Sequence, residues 1–457
     1  MNKRRSTLIV LMALTIFLAV DASTYVRAEE DESEQAEEAG WGEGRKWIPR
    51  LSFPAPDPSK ETGSVPLVGR DIVYEHLDYT AYLSWEKGLE ITKRDSEFHL
   101  RVGGRAYVDL AKYYEDENDL GSDSIGLRTV LIQADGRFTE KWLFRLSVGG
   151  LTSGGKFDTG GAFLDDAYVS YVGARTVWVL GQHQEPFSLE QATSSLATTF
   201  MERALPNALV PGAAAGVSFL NAQDRWSLSA GLFGEDLASS KDIRDQGVGL
   251  TGRLTFRPKS RDDNLCHLGG SFSFRKVVGD DAVSYRNRPE SGLTDVRFVN
   301  TGEISGVNSV ARAGVEAALA QGPLSLQAEY IGAYVDRESG YDDLFFHGWY
   351  ALLSWFPTGE SRRYIPREGI FAYPQIESKY GAVELAVRYS MLDLSDGTVK
   401  GGQERNLTFA ANWYFSSRVR LMLNYVLVFA DDNANDNGTV LSDDSPQILQ
   451  FRFQFRF

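Results

Sequence analysis

Residues 449–457 read LQFRFQFRF. Leu449, Phe451, Phe453, Phe455 and Phe457 alternate with Gln450, Arg452, Gln454 and Arg456. Successive side chains of a strand point to opposite faces, so this segment has one apolar face and one polar face. The same period recurs upstream. In 98–112, Leu100, Val102, Ala106, Val108 and Leu110 oppose His99, Arg101, Arg105, Tyr107 and Asp109. In 247–258, Val248, Leu250, Leu254 and Phe256 alternate with Thr251, Arg253, Thr255 and Arg257. In 418–430, Val419, Leu421, Leu423, Tyr425, Leu427 and Phe429 alternate with Arg418, Arg420, Met422 and Asn424.

One such strand also fits a soluble sandwich; the set of strands decides more. The pattern predicts sixteen: 98–112, 127–138, 142–149, 162–172, 175–183, 216–223, 226–234, 247–258, 265–276, 308–319, 324–335, 345–356, 379–391, 402–415, 418–430 and 445–457. The number is even, and many approach the ~9–11 residues of a tilted membrane strand. Short connections (139–141, 173–174, 224–225, 321–323, 416–417) alternate with long ones (113–126, 150–161, 184–215, 235–246, 277–307, 336–344, 392–401, 431–444). Short turns on one rim and long loops on the other are the pattern of an antiparallel transmembrane β-barrel. Two connections on the short-turn rim break it, 259–264 and the long 357–378. Phe457 closes an aromatic C-terminal strand, an ending common among bacterial outer-membrane barrels.

The chain has 457 residues with a formal net charge of -15, an acidity that argues against non-specific nucleic-acid binding. Cys266 is the single cysteine, which excludes an internal disulfide and a cysteine-based metal site. The five histidines (His76, His99, His183, His267, His347) show no metal-ligand spacing, and no cofactor is implied.

Lys3, Arg4 and Arg5 precede an apolar run from Leu8 to Val20, and Val26-Arg27-Ala28 offers a cleavage site. Residues 1–28 are therefore expected to be a secretory signal peptide, the run being too short for a comfortable membrane helix. Its removal takes away four bases and one acid, leaving a charge of -18. Residues 29–97 are expected to form an acidic, irregular periplasmic segment, and residues 98–457 the barrel. The segments 29–38, 113–126 and 431–444 together carry 17 acids, nearly the whole excess. On the polar strand faces the balance reverses. Thirteen arginines (Arg101, Arg105, Arg137, Arg145, Arg253, Arg257, Arg275, Arg312, Arg388, Arg418, Arg420, Arg452, Arg456) face six acids (Asp109, Asp135, Asp166, Glu316, Glu329, Glu384). A basic channel of low dielectric concentrates anions, and the planar arginine fork suits phosphate or carboxylate. Arg101, Arg105, Arg253, Arg257, Arg420, Arg452 and Arg456 are the expected carriers of an anion path. The alternative role for each is an ion pair that stiffens the wall.

Residues 181–217 read GQHQEPFSLEQATSSLATTFMERALPNALVPGAAAGV. This segment resembles the phosphate-selective porin O and P family. So do Gly348-Trp349-Tyr350, Trp355–Arg362 (WFPTGESR), Tyr380–Asp393, Asn412-Trp413-Tyr414 and Val419–Val426. The resemblance spans roughly residues 98–457. It implies a sixteen-stranded, trimeric barrel in the bacterial outer membrane, with outer-membrane lipid and small phosphate-like anions as partners. It also implies that the third loop, 184–215, folds inward and constricts the lumen. Ser194, Ser195, Thr199 and Arg203 are the polar candidates on that loop. Phosphate-binding members carry bases where this chain has Leu196-Ala197 and Ala213-Ala214-Ala215, and Glu202 sits beside Arg203. The expectation is a passive channel that passes anions without holding phosphate tightly.

Three other readings are open to the sequence. A weakly selective pore for sugars or carboxylates fits the loop departures. A barrel hydrolase needs a nucleophile and base that meet, and His183 near Ser188, Ser194 and Ser195 forms no legible triad. A soluble exported sandwich is separated by heat-modifiable gel migration, which membrane barrels show.

Overall fold

The computed structural model describes residues 72–457, apart from 77–78, 85–87, 115–116, 122, 154–155, 238–246, 259–263, 279–282, 432, 437 and 442–443. The signal-peptide expectation and the acidic segment 29–38 lie outside the described residues.

Sixteen antiparallel strands close into one barrel. They are β1 (His99–Tyr114), β2 (Ser124–Arg137), β3 (Trp142–Ser153), β4 (Lys156–Val172), β5 (Thr176–Gln184), β6 (Ala213–Ala222), β7 (Trp226–Phe233) and β8 (Gly249–Phe256), then β9 (Asn264–Lys276), β10 (Val307–Gln321), β11 (Leu324–Arg337), β12 (Leu344–Trp355), β13 (Ala382–Asp396), β14 (Val399–Tyr414), β15 (Val419–Ala430) and β16 (Gln447–Arg456). Each pairs with its sequence neighbour, and β16 returns to β1 in a register running from Gln447↔Tyr114 to Arg456↔Arg105. All sixteen expected strands are present. Backbone bonds between Gly104 and Phe457, at 2.9 and 3.0 Å, extend the seam by one residue. A Cβ on Gly104 would stand 2.4 Å from the Leu131 carbonyl and 2.7 Å from the Phe457 ring, so this part of the seam admits only glycine.

The alternation read in the sequence separates two surfaces. On β16, Ile448, Gln450, Arg452 and Gln454 are buried while Phe451 is exposed, as is Phe457 just past its end. Leu250, Leu254 and Phe256 of β8 and Leu268, Phe272 and Phe274 of β9 extend the exposed apolar belt. An apolar exterior around a polar interior is the inverse of a soluble protein and matches a lipid-embedded barrel. Closed strands also leave no backbone edge inside the hydrocarbon. Among the described residues no helix is long and apolar enough to cross a membrane.

Two expected loops are strand. The chain runs in β conformation to Ser153 and resumes at Lys156, so 150–161 is mostly hairpin; β13 and β14 likewise leave only 397–398 between them. On the extension of β13 the alternation reverses: Leu392 and Leu394 are buried against packed loops while Asp393 and Ser395 take the other face.

Residues 72–93 correct the irregular reading of 29–97. Ile72–His76, Tyr79–Ser84 and Gly88–Lys93 form an antiparallel run of three strands. The last pairs with β1 from Leu89↔Val102 to Thr92↔His99, on the edge that β16 leaves free. These runs are short and interrupted by charge, which hid them.

Candidate functional site

The loop between β5 and β6, residues 185–212, bonds to inward-facing side chains of nine strands, among them Thr251 of β8 and Arg275 of β9 through Glu185. It opens with a single helical turn, α1 (Leu189–Ala192), capped by the Ser188 hydroxyl on the Gln191 N–H. Glu329 of β11 accepts the N–H groups of Leu189 and Glu190 at 2.9 and 2.7 Å. Arg388 of β13 donates to the Glu190 carboxylate at 3.1 Å and to the Glu202 carbonyl at 3.1 Å. Asn412 of β14 donates to the Thr199 carbonyl at 2.8 Å. Arg420 of β15 reaches the carbonyls of Thr198 and Thr199 at 2.7 and 3.1 Å. Arg452 of β16 and Arg128 of β2 both pair with Glu202, at 2.8 and 2.9 Å, and Tyr107 of β1 meets Ser195 at 3.0 Å. A segment that bonds to β1, β2, β11 and β13 to β16 together lies within the ring they form.

Residues 283–306 of a second connection enter the same space. Its Glu290 carboxylate accepts from Arg388 at 2.7 Å, Ser390 at 2.5 Å and Thr408 at 2.6 Å, while Gln450 donates to the Glu290 carbonyl at 2.9 Å. Asn287 locks the two loops together through the Leu205 carbonyl at 2.9 Å. The long connection 357–378 packs from the opposite rim. There Arg253 donates to the carbonyls of Glu368 and Gly369 at 3.1 and 2.7 Å, and Phe371 packs with Leu189 and Ala318. Gly369 has φ 66°, and a Cβ there would stand 2.7 Å from the Thr255 methyl.

The first two of these connections, with residues of β1, β2, β4 and β16, line a cavity of about 450 Å³. Arg105, Arg128, Arg203, Arg286, Arg288, Arg297 and Arg452 line it, against Glu202 and Glu290. Seven guanidiniums against two carboxylates make the lining strongly cationic. The charges are not equally available. Arg452 is held by Asp109 at 2.7 Å, by Glu202 and by the Met201 carbonyl, and Arg128 is bidentate on Glu202. Arg203 is spent on the carbonyls of Glu190, Gln191 and Thr193, which end the α1 turn. Arg286 is exposed and makes no ion pair among the described residues. Arg288 pairs with Asp295 at 2.7 Å but keeps an unpartnered Nε, and Arg105 does the same beside Asp165 at 3.8 Å. Arg297 donates to the Asp295 carbonyl at 3.0 Å. Burial, then the neighbouring Arg288 and Arg286 charges, hold the Arg297 guanidinium below its ordinary pKa. Three like charges gathered this way favour an anion between them.

Placed on this geometry, the residues expected from sequence divide. Arg105, Arg452, Ser195 and Arg203 line the cavity. Arg253 and Arg420 do not act as free cations: Arg253 is bidentate on Glu316 with a contact at 2.6 Å, and Arg420 is fully buried beneath Thr198 and Thr199, over the Tyr414 ring. Arg452 is likewise neutralised where it lines the cavity. Each would lose a buried partner to serve an ion, a cost of several kcal/mol. Thr199 is occupied by Glu384 at 3.1 Å, and Ser194 is exposed outside the lining. Arg101, Arg257 and Arg456 sit at the short-turn rim, where Arg257 donates to the Asp224 carbonyl and Arg456 lies over the Tyr373 ring at 4.7 Å. His183 bonds Ser218 at 2.6 Å and the Gly181 carbonyl at 2.9 Å, in a structural role. Sequence reasoning missed Arg128, Arg286, Arg288 and Arg297. The available signal was the length of 277–307, nearly that of 184–215.

A family profile described as phosphate-selective porin O and P matches residues 100–457. Porin O of Pseudomonas aeruginosa is 28% identical over 426 residues, covering 86% of this chain and 94% of that protein. An uncharacterized protein of Caulobacter vibrioides is 33% identical over 281 residues, 58% of this chain and 56% of its own. Among solved structures, the trimer form of the outer-membrane protein OmpT of Vibrio cholerae superposes with a TM-score of 0.51. It is 11% identical and is matched over 79% of this chain and 99% of its own, a likeness of fold.

Proposed function

Because the chain belongs to the phosphate-selective porin O and P family, we propose that the arginine-lined cavity is the selectivity region of an outer-membrane diffusion channel for small anions. The protein is a porin of the bacterial outer membrane, a channel rather than an enzyme. The observation that carries the anion reading is the composition of the cavity, seven arginines against two glutamates at the place where two inward connections meet the barrel wall. An ion entering there sits within a Debye length of those guanidiniums, whereas the acidic outer loops are wet and screened over about 8 Å at physiological salt. Loop 185–212 acts as the constriction, anchored by Arg388, Arg420 and Arg452. Arg286, Arg288 and Arg297 take the part that the sequence assigned to Arg253, Arg420 and Arg452. Phosphate is a weak ligand here, because most cavity arginines already hold a carboxylate or carbonyl. The functional unit is a homotrimer, a reading supported by family membership and by the trimeric form of a structural neighbour.

The test is the reversal potential of the purified protein in planar bilayers under a potassium chloride gradient. Anion preference that weakens as salt rises supports the assignment; cation preference refutes it. Chemical cross-linking in mild detergent reads the oligomer, and a single monomeric band would refute the trimer.

A further inference from the structure

We propose that the cavity takes organic anions, an oxyanion head on a small apolar body, in preference to bare inorganic phosphate; this rests on the anion-channel reading above. Two observations carry it. The first is size. At about 450 Å³ the cavity lies within the ~300–1,000 Å³ range of pockets that hold organic small molecules. A single tetrahedral oxyanion would fill a fraction of it.

The second is how the lining is divided. Arg286, Arg288 and Arg297 come from one connection and give at most one nitrogen each to the described residues, whereas Arg128 and Arg203 give two and Arg452 all three to the protein's own oxygens. An anion therefore finds available guanidiniums over part of its surface. The same lining includes Phe163, Met201, Ala204 and Ala208. Against those groups a bare phosphate sheds water with nothing to replace it, and a desolvated charge without donors is costly. An apolar body gains from that same contact. A molecule with its charge at one end satisfies both halves of the lining, and an ion charged all round satisfies one.

Block of chloride current through single channels of the full-length protein in planar bilayers tests this. The probes are inorganic phosphate against phenyl phosphate, and acetate against benzoate. Phenyl phosphate is expected to half-block at about a tenfold lower concentration than phosphate, and benzoate at a similarly lower one than acetate. Phe163→Ser should remove most of that difference, weakening block by phenyl phosphate and benzoate while easing the dehydration of inorganic phosphate. If Phe163→Ser does not assemble, Met201→Gln takes its place. The double variant Arg286→Gln/Arg288→Gln should raise the half-block concentration of both members of each pair. Equal or stronger block by the inorganic ion overturns the proposal and leaves the anion channel standing. A cation-selective reversal potential, with no block by any probe, overturns the channel reading and the proposal together.

Discussion

Replacing Glu202 by Gln isolates the electrostatics of the constriction. The Glu202 carboxylate is bidentate on Arg128 at 2.9 Å and meets Arg452 at 2.8 Å. Glutamine keeps the shape and sheds the charge, so the cavity lining changes from two carboxylates to one against the same seven arginines. At ~6 Å and an effective dielectric constant of ~40, one charge acts on a monovalent anion with about 1.4 kcal/mol. That corresponds to roughly tenfold in affinity. The structural cost is the loss of charged hydrogen bonds, about 1.5–3 kcal/mol for a strong one. The assay is the phosphate concentration that halves single-channel chloride current, in wild type and Glu202→Gln. Block should strengthen about tenfold near 0.1 M salt, and the gain should shrink near 1 M, where the Debye length falls to ~3 Å. Unchanged or weaker block, in a variant whose gel migration shows a folded barrel, would refute the reasoning. Acidification is not an equivalent perturbation. Burial pushes the Glu202 carboxyl up, but Arg128 and Arg452 outweigh it and hold the pKa at about 2. A depressed folded value means the contribution is complete above the ordinary carboxylate value of ~4.3 and lost only as pH falls toward the folded value. Lowering pH from 7 to 5 should therefore leave this pair intact.

Arg388→Leu should strand Glu190 and Glu290, both buried, and loosen both inward loops; a cost of about 3–5 kcal/mol should appear as larger and noisier single-channel conductance, and wild-type conductance would contradict the anchoring role. Phe453→Arg should lower stability by about 2–4 kcal/mol if the position lies at mid-membrane, measured by denaturant titration of barrel refolded into vesicles, and an unchanged midpoint would contradict the lipid-facing assignment. Arg286→Gln combined with Arg297→Gln should reduce anion preference in the reversal potential more than Arg253→Gln does, because Arg253 is committed to Glu316; the opposite order would return the path to the wall. Gly369→Val should disturb the connection 357–378 at its contact with Thr255, read as altered conductance with normal gel migration.

The barrel was legible because lipid and lumen impose opposite demands on alternate residues of every strand. Phe451 and Arg452 need no context to be assigned to faces, and the register from Arg456↔Arg105 upward keeps them there. The signal reverses past the apolar belt, as on β13, where Leu392 and Leu394 are buried against packed loops while Asp393 and Ser395 take the other face. Hence the extensions of β3, β4, β13 and β14 were read as loops, and the three short strands of 72–93 as irregular chain. The cavity was less legible for a different reason. Arginines on polar strand faces can be listed from sequence, but their partners come from loops. Glu190 and Glu290 reach Arg388, Glu202 reaches Arg452, and Glu185 reaches Arg275. A balance drawn from strands alone counts the cations and omits the anions that enter to meet them. The opposite error occurs on 277–306, where Arg286, Arg288 and Arg297 lie among acids and look like a solvated surface. The sign of the lining survives because the two errors oppose each other; the identity of its carriers does not.

The seam between β16 and β1 also sets an order in time. Arg452 and Asp109 meet across 343 positions of chain, and neither strand can find the other until the last residues have been made. Contacts of such sequence separation form late, after the loop-closure entropy of the intervening chain is met. The wall side chains that hold loop 185–212 come from both ends of the ladder, Tyr107 and Arg128 at one and Arg420 and Arg452 at the other. Only the closed cylinder presents them together. The constriction is therefore the final event of maturation, a bolt that slides home once the ring is complete. A barrel caught with its seam open would be a wide and unselective leak.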